Sequence, residues 1–142
     1  MLFIYETYDT VSRSGFKDFK EYLPDYITKN LKYRLRPYQQ EAMGRYLYYK
    51  NDENRAIPEQ VLYNMATGSG KTLLMAAVIL EKYQQGERNF IFFVNNDNIL
   101  TKTKDNFLES ASDKYLFADK IVMDGQIVTV REVTDFSDSR DD

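Results

Sequence analysis

The stretch NMATGSGKT, Asn64 to Thr72, ends in the residue types that hold a phosphate group. Backbone N–H groups of Gly68, Ser69, Gly70 and Lys71 can converge on phosphate oxygens where a helix begins, and the helix dipole favours negative charge at that end. Glycine permits the close approach of the backbone, with Thr67 leading into the turn. Lys71 can reach terminal phosphates and neutralise the charge that builds up in phosphoryl transfer, while Thr72 can offer its hydroxyl to Mg²⁺. The general pattern for such loops has a further glycine where Met65 stands. The bland alternative is an ordinary glycine turn before a buried helix. It is disfavoured because an apolar run, the turn and a helical stretch follow one another in register.

A loop of this kind works only at the end of a strand and the start of a helix. The run QVLYNM, 60–65, is rich enough in strand formers to be the strand, and GKTLLMAAVILEKYQQG reads as the helix, with Gly86 placed to stop it. NFIFFVN, 89–95, predicts a second strand. Its nearly continuous apolar character suits a parallel sheet covered on both faces. The polar NNDN that follows can cap another helix, in which Ile99 or Leu100, Thr103 and Phe107 share a face as far as Ser110. This order predicts an α/β fold with a parallel sheet flanked by helices. Upstream, LRPYQQEAMGRYLYYKN predicts a helix over 37–50, because Pro37 suits a first turn and Tyr38, Ala42, Tyr46 and Tyr49 recur at helical spacing. The opening LFIYE is a strand candidate and FKDFKEYL a helix candidate. Near the other end, KIVMDGQIVTV sets two β-branched runs around Asp124-Gly125, a strong hairpin signal. The expected organisation is an N-terminal extension over 1–30, the phosphate-loop lobe over 31–118, a hairpin over 119–134 and a disordered acidic tail over 135–142.

With 142 residues, 43% of them hydrophobic, one packed domain is expected. The absence of cysteine excludes disulfides and Cys-ligated metal sites, and the absence of histidine removes the commonest general base, so any chemistry must use carboxylates, Lys, hydroxyls or a bound cation. A net charge of −3 argues against a surface that holds nucleic acid by charge alone. A local groove stays possible around Lys29, Lys32, Arg34 and Arg36, or around Lys102 and Lys104, although such residues are more often solvated surface. The longest apolar run, 73–80, is far short of a membrane span, so a cytoplasmic protein with no membrane partner is expected.

MATGSGKT resembles motif I of superfamily 2 helicases and translocases, in which the first glycine is commonly replaced. It looks most like the form in type I and type III restriction enzyme motor subunits, closest to the Res subunit of type III enzymes. The resemblance covers roughly 31–110 and implies the front part of a first RecA-like lobe that binds ATP with Mg²⁺. In such proteins an R-x-x-Q element recognises adenine, and this chain matches it at Arg36 and Gln39. A Gln side chain can donate to and accept from the adenine edge at once. Tyr33 is the candidate to stack on the base. The segment FIFFVNNDNILTKTKDNF resembles motif Ia, which touches the nucleic-acid backbone. Asn95, Asn96, Thr101 and Lys102 are the residues of this chain chemically able to do so, although Asn95 stands where many helicases have proline and Lys102 where many have glutamine. The competing reading of Asn95 to Asn98 is a plain helix cap.

The family implies duplex DNA and a methyltransferase (modification) subunit as partners, with ATP hydrolysis driving communication along DNA. A motor also needs an Asp-Glu pair after an apolar strand. Asp52-Glu53 precedes the loop in a polar linker and is rejected, and Asp124 lacks the adjacent glutamate and makes a better turn residue. The chain is therefore read as an N-terminal piece of a larger ATPase and restriction endonuclease, inactive by itself. The alternatives are another superfamily 2 DNA or RNA helicase with the same front end, a non-catalytic nucleotide-binding fragment and, more distantly, a small-molecule kinase, which would not explain Arg36 and Gln39.

Overall fold

The computed structural model describes residues 4–15 and 18–135, and the candidate tail beyond 135 lies outside them. Its elements are α1 (Ile4–Arg13), a 3₁₀ turn (Phe19–Glu21), α2 (Asp25–Thr28), α3 (Pro37–Lys50), α4 (Lys71–Gln84), α5 (Asp97–Phe107), β1 (Ile121–Met123) and β2 (Gln126–Val128). They divide into two compact units, one of residues up to Pro24 with Leu35–Leu74, the other of Asp25–Arg34 with the residues from Met75 onward. Among the described residues no helix is long and apolar enough to cross a membrane.

In the first unit Pro37 opens α3, as its preset φ allows. The buried side chains Met43, Tyr46 and Leu47 line one side of that helix. The 3₁₀ turn packs on it, with Asp18 accepting the Lys20 N–H at 2.9 Å as a cap. Gly44 is what permits the close approach, because a Cβ there would fall 1.8 Å from the Phe19 carbonyl oxygen. Tyr8 of α1 meets the rings of Phe19 and Tyr48, at centroid distances of 5.8 and 5.1 Å. Asp9 accepts from Arg45 at 2.6 Å and Arg45 also reaches Glu41 at 2.7 Å. The Arg45 hydrogen bond holds the Asp9 carboxyl below its usual range. These contacts correct the strand expected at LFIYE over residues 4–6, the first two of that run lying outside the described residues. Ile4–Arg13 is helical, because a helix turns Tyr8 onto the aromatic cluster while Asp9 pairs with Arg13 one turn on. The helix expected over FKDFKEYL is likewise only the short 3₁₀ turn within the described residues.

Tyr63 belongs to this unit. Its ring meets that of Tyr46 edge-on at 6.3 Å, and its hydroxyl oxygen has no hydrogen-bond partner among the described residues. Burial pushes its pKa well up, with Tyr46 and Glu59 adding to the effect. A pKa raised in the folded state means that the unfolded chain releases its proton first. Stability is therefore complete below about pH 10 and declines as pH rises beyond it. Urea midpoints should fall between pH 9.5 and 11, and Tyr63→Phe should flatten that fall by up to about 1 kcal/mol at pH 11. The slope left in the variant comes from Tyr8 and Tyr115, whose phenols burial also raises.

The second unit is built around Phe107, Phe117, Ile27 and the buried face of α4, Ala76, Ala77 and Leu80. Asn96 caps α5 by accepting the Ile99 N–H at 3.0 Å, as the NNDN run predicted. The two β-strands pair antiparallel with Met123 opposite Gln126, and Asp124 (φ 50) and Gly125 (φ 78) form the turn. Left-handed geometry at both central positions is what a two-residue hairpin needs. Asn30 binds this hairpin, accepting the Val122 N–H at 2.7 Å and donating to the Val122 carbonyl at 2.9 Å. Glu81, fully buried on α4, accepts from the Tyr26 hydroxyl and from Gln85 Nε2.

The two runs expected as parallel strands are not strands here. Neither 60–65 nor 89–95 enters a ladder, and Leu62 and Phe93 are 90% and 89% exposed. A strand is held by neighbours that take up its N–H and C=O groups, and an apolar sequence supplies only the propensity. The described fold is α/β with one small antiparallel sheet.

Candidate phosphate-binding site

The site lies within the first unit, and its frame is the start of α3. Arg36, the residue before proline, is extended (φ −70, ψ 157), as the proline ring requires. Its N–H then meets the side chain one helical turn on, Gln39 Oε1, at 2.8 Å. Gln39 is only 1% exposed, so its amide needs internal partners. It finds them on the loop, with Nε2 donating to the carbonyls of Ser69 at 3.1 Å and Gly70 at 2.9 Å. Beside it the Tyr38 hydroxyl donates to the same Ser69 carbonyl at 2.7 Å and accepts from Arg36 Nη1 at 3.3 Å.

The loop itself is shaped by two left-handed glycines, Gly68 (φ 77) and Gly70 (φ 78). At Gly70 the reason is doubled, since a Cβ would also lie 2.6 Å from Gln39 Nε2. The loop is drawn together at one acceptor. The Ala66 carbonyl receives the Ser69 hydroxyl at 2.6 Å, the Ser69 N–H at 3.3 Å and Lys71 Nζ at 2.9 Å. The Gly70 carbonyl takes the N–H groups of Leu73 and Leu74, which starts α4. The N–H groups of Gly68, Gly70, Lys71 and Thr72 and the Thr72 hydroxyl enter no hydrogen bond among the described residues. Unpaired backbone donors at a helix start, beside a lysine amine, are chemically able to hold an anion.

Of the residues singled out from the sequence, Arg36, Gln39, Ser69, Gly70, Lys71 and Thr72 meet in this unit, and Thr67 and Gly68 belong to the same loop. Tyr33 lies in the second unit, where its hydroxyl donates to the Asp113 carbonyl at 2.6 Å. Asn95, Asn96, Thr101 and Lys102 are exposed around the start of α5. Asn96 serves as the cap and Thr101 Oγ1 donates to the Asp97 carbonyl at 3.1 Å. Sequence reasoning missed Tyr38 and Ala66. Tyr38 sits between Arg36 and Gln39 and reads as one more aromatic on a helix face. Ala66 acts through its backbone, which no residue type announces. Asp124 closes the hairpin turn and accepts from Gln84 Nε2 at 3.2 Å. No group of three or more acidic, His or Cys side chains among the described residues could hold a metal.

Residues 32–139 match the family described as type III restriction enzyme, res subunit. The chain belongs to the type III restriction enzyme Res subunit family. The probable type III restriction-modification enzyme HindVIP Res subunit of Haemophilus influenzae is 38% identical over 128 residues, covering 84% of this chain and 24% of that protein. This Res-family chain therefore spans about a quarter of that relative's length. No solved structure matches it. The Res-family match takes in the start of α3, the loop, α4, α5 and the hairpin.

Proposed function

We propose that this chain is the ATP-binding front of a first RecA-like lobe in a type III restriction Res subunit, a DNA-dependent ATPase and translocase. The observation that carries the reading is the loop 68–72, in which the N–H groups of Gly68, Gly70, Lys71 and Thr72 have no partner among the described residues at the start of α4, beside the Lys71 amine. Family membership favours the restriction branch over other superfamily 2 helicases and over a small-molecule kinase. The parallel sheet of such a lobe would also cover the apolar side chains now in solvent at 62 and 90–93.

The residues fit a nucleotide triphosphate. The N–H groups of Gly68, Gly70, Lys71 and Thr72 would bind phosphate oxygens, and the Ser69 N–H and Lys71 Nζ would exchange the Ala66 carbonyl for them. A Mg²⁺ ion would take the Thr72 hydroxyl and phosphate oxygens, and it would supply charge neutralisation for phosphoryl transfer. Arg36 and Gln39 are proposed for the base side, and Tyr33 is proposed as the stacking residue. Asn95, Asn96, Thr101 and Lys102 are proposed contacts to the backbone of duplex DNA, and a modification methyltransferase subunit is the proposed protein partner. A cytoplasmic location accords with that role. By this reading 31–118 is the lobe's front and the chain alone turns over no ATP, because the acid pair and the arginine of a complete motor are not identified in it.

Nucleotide binding measured by calorimetry, with and without Lys71→Ala, tests the site. Loss of a charge-assisted contact should weaken ATP by about 2 kcal/mol, roughly thirtyfold. Equal affinity in the two proteins would sink the reading.

A further inference from the structure

We infer that Tyr38 is a positioning residue for the phosphate loop, acting through the Ser69–Gly70 peptide. This rests on the phosphate-loop reading and goes beyond it, since it assigns to the adenine side of the site a role in shaping the phosphate side. The Tyr38 hydroxyl donates to the Ser69 carbonyl at 2.7 Å, shorter than either bond from Gln39. A trans peptide is planar, so its carbonyl and the following N–H point in opposite directions. Holding the Ser69 carbonyl on α3 therefore turns the Gly70 N–H away from α3, and that N–H is one of the donors with no partner among the described residues. Gly70 at φ 78 has no side chain to resist other peptide orientations, so the orientation must be imposed from outside the loop.

Arg36 completes the device. Its guanidinium Nη1 donates to the Tyr38 oxygen at 3.3 Å, and a phenol that accepts from a cation becomes a stronger donor to the carbonyl. Gln39 secures the neighbouring Gly70 carbonyl and thereby the Lys71 N–H, by the same peptide geometry. The R-x-x-Q element and the tyrosine within it thus hold two consecutive peptides of the loop. Tyr38 is 43% exposed, so removing its hydroxyl leaves the packing of α3 in place.

The test uses inorganic tripolyphosphate, which has no base, alongside ATP. Affinities of both are measured by calorimetry for the full chain and for its Tyr38→Phe and Lys71→Ala variants, with thermal midpoints recorded. Tyr38→Phe is expected to weaken tripolyphosphate and ATP by the same factor, about five- to tenfold, with an unchanged midpoint. An unaltered affinity for both ligands overturns the proposal, and so does a loss confined to ATP, which would make Tyr38 a base contact. A common loss that comes with a lowered midpoint also overturns it, because the effect is then general packing. Equal tripolyphosphate binding by the wild type and Lys71→Ala overturns the phosphate-loop reading itself, and the role of Tyr38 with it. A loss in Lys71→Ala without one in Tyr38→Phe overturns the positioning role alone.

Discussion

Replacing Gly44 with alanine is expected to break the contact between α3 and the 3₁₀ turn. The added Cβ would lie 1.8 Å from the Phe19 carbonyl oxygen, 2.7 Å from its carbon and 3.2 Å from the Phe19 Cα. These are backbone atoms, so no rotamer change relieves the overlap. Alanine gains about 1 kcal/mol of helix propensity over glycine, which works against the loss. Overpacking typically costs about 1–3 kcal/mol and more when a backbone must move. A net destabilisation of about 3 kcal/mol is expected, lowering the thermal midpoint by roughly 10 °C in a chain of this size. The damage reaches the unit's centre because Phe19 is 1% exposed and its ring lies against Tyr8 and Tyr48. Thermal unfolding followed by circular dichroism checks this, and an unchanged or raised midpoint would show that the helix and the turn are not in such close contact.

Asn30→Ala is expected to release the hairpin from the second unit. Asn30 is 3% exposed and takes both polar groups of one residue, the Val122 N–H at 2.7 Å and the Val122 carbonyl at 2.9 Å. Its Nδ2 also donates to the Tyr26 carbonyl at 2.8 Å. Its own backbone carbonyl accepts the Ala118 N–H at 2.9 Å, a bond that alanine keeps. Truncation therefore removes only the side-chain bonds and strands two groups on β1. The groups left unpaired on Val122 are only part-buried, so the low end of about 1–3 kcal/mol for each applies and a loss of about 2 kcal/mol follows. Asn30→Asp keeps the acceptor for the Val122 N–H but turns a carboxylate oxygen toward the Tyr26 and Val122 carbonyls, so it should destabilise at least as much as Asn30→Ala. Amide exchange at Val122 should speed up in Asn30→Ala in step with the lost stability. Unchanged protection there would show that the side-chain clamp does not hold the hairpin.

Both residues show where sequence reading stops. Gly44 interrupts a run whose helical spacing is plain, and nothing local says that a carbonyl from the 3₁₀ turn will lie against it. Asn30 is one polar residue in a polar stretch, distinguished only by what the fold brings to it from Val122. The same limit explains the first strand candidate, LFIYE, where a helix that places Tyr8 on Phe19 and Tyr48 prevails over local strand propensity.

The sequence by itself determined what is local. Pro37 and the tyrosine spacing set α3, Asn96 the start of α5, and Asp124-Gly125 the turn between β1 and β2, because each depends on dihedral preference or on a hydrogen bond spanning a few residues. The glycine turn before α4 was legible for the same reason, and the resemblance of MATGSGKT to motif I pointed to the Res family, to which the chain belongs. The tertiary structure decided which atoms face which. It set Gln39 Nε2 and the Tyr38 hydroxyl on the carbonyls of Ser69 and Gly70, gathered Ser69 and Lys71 on Ala66, and placed the Tyr33 hydroxyl on Asp113. Such partners are distant in the chain or are backbone groups that every residue carries, so only packing selects among them.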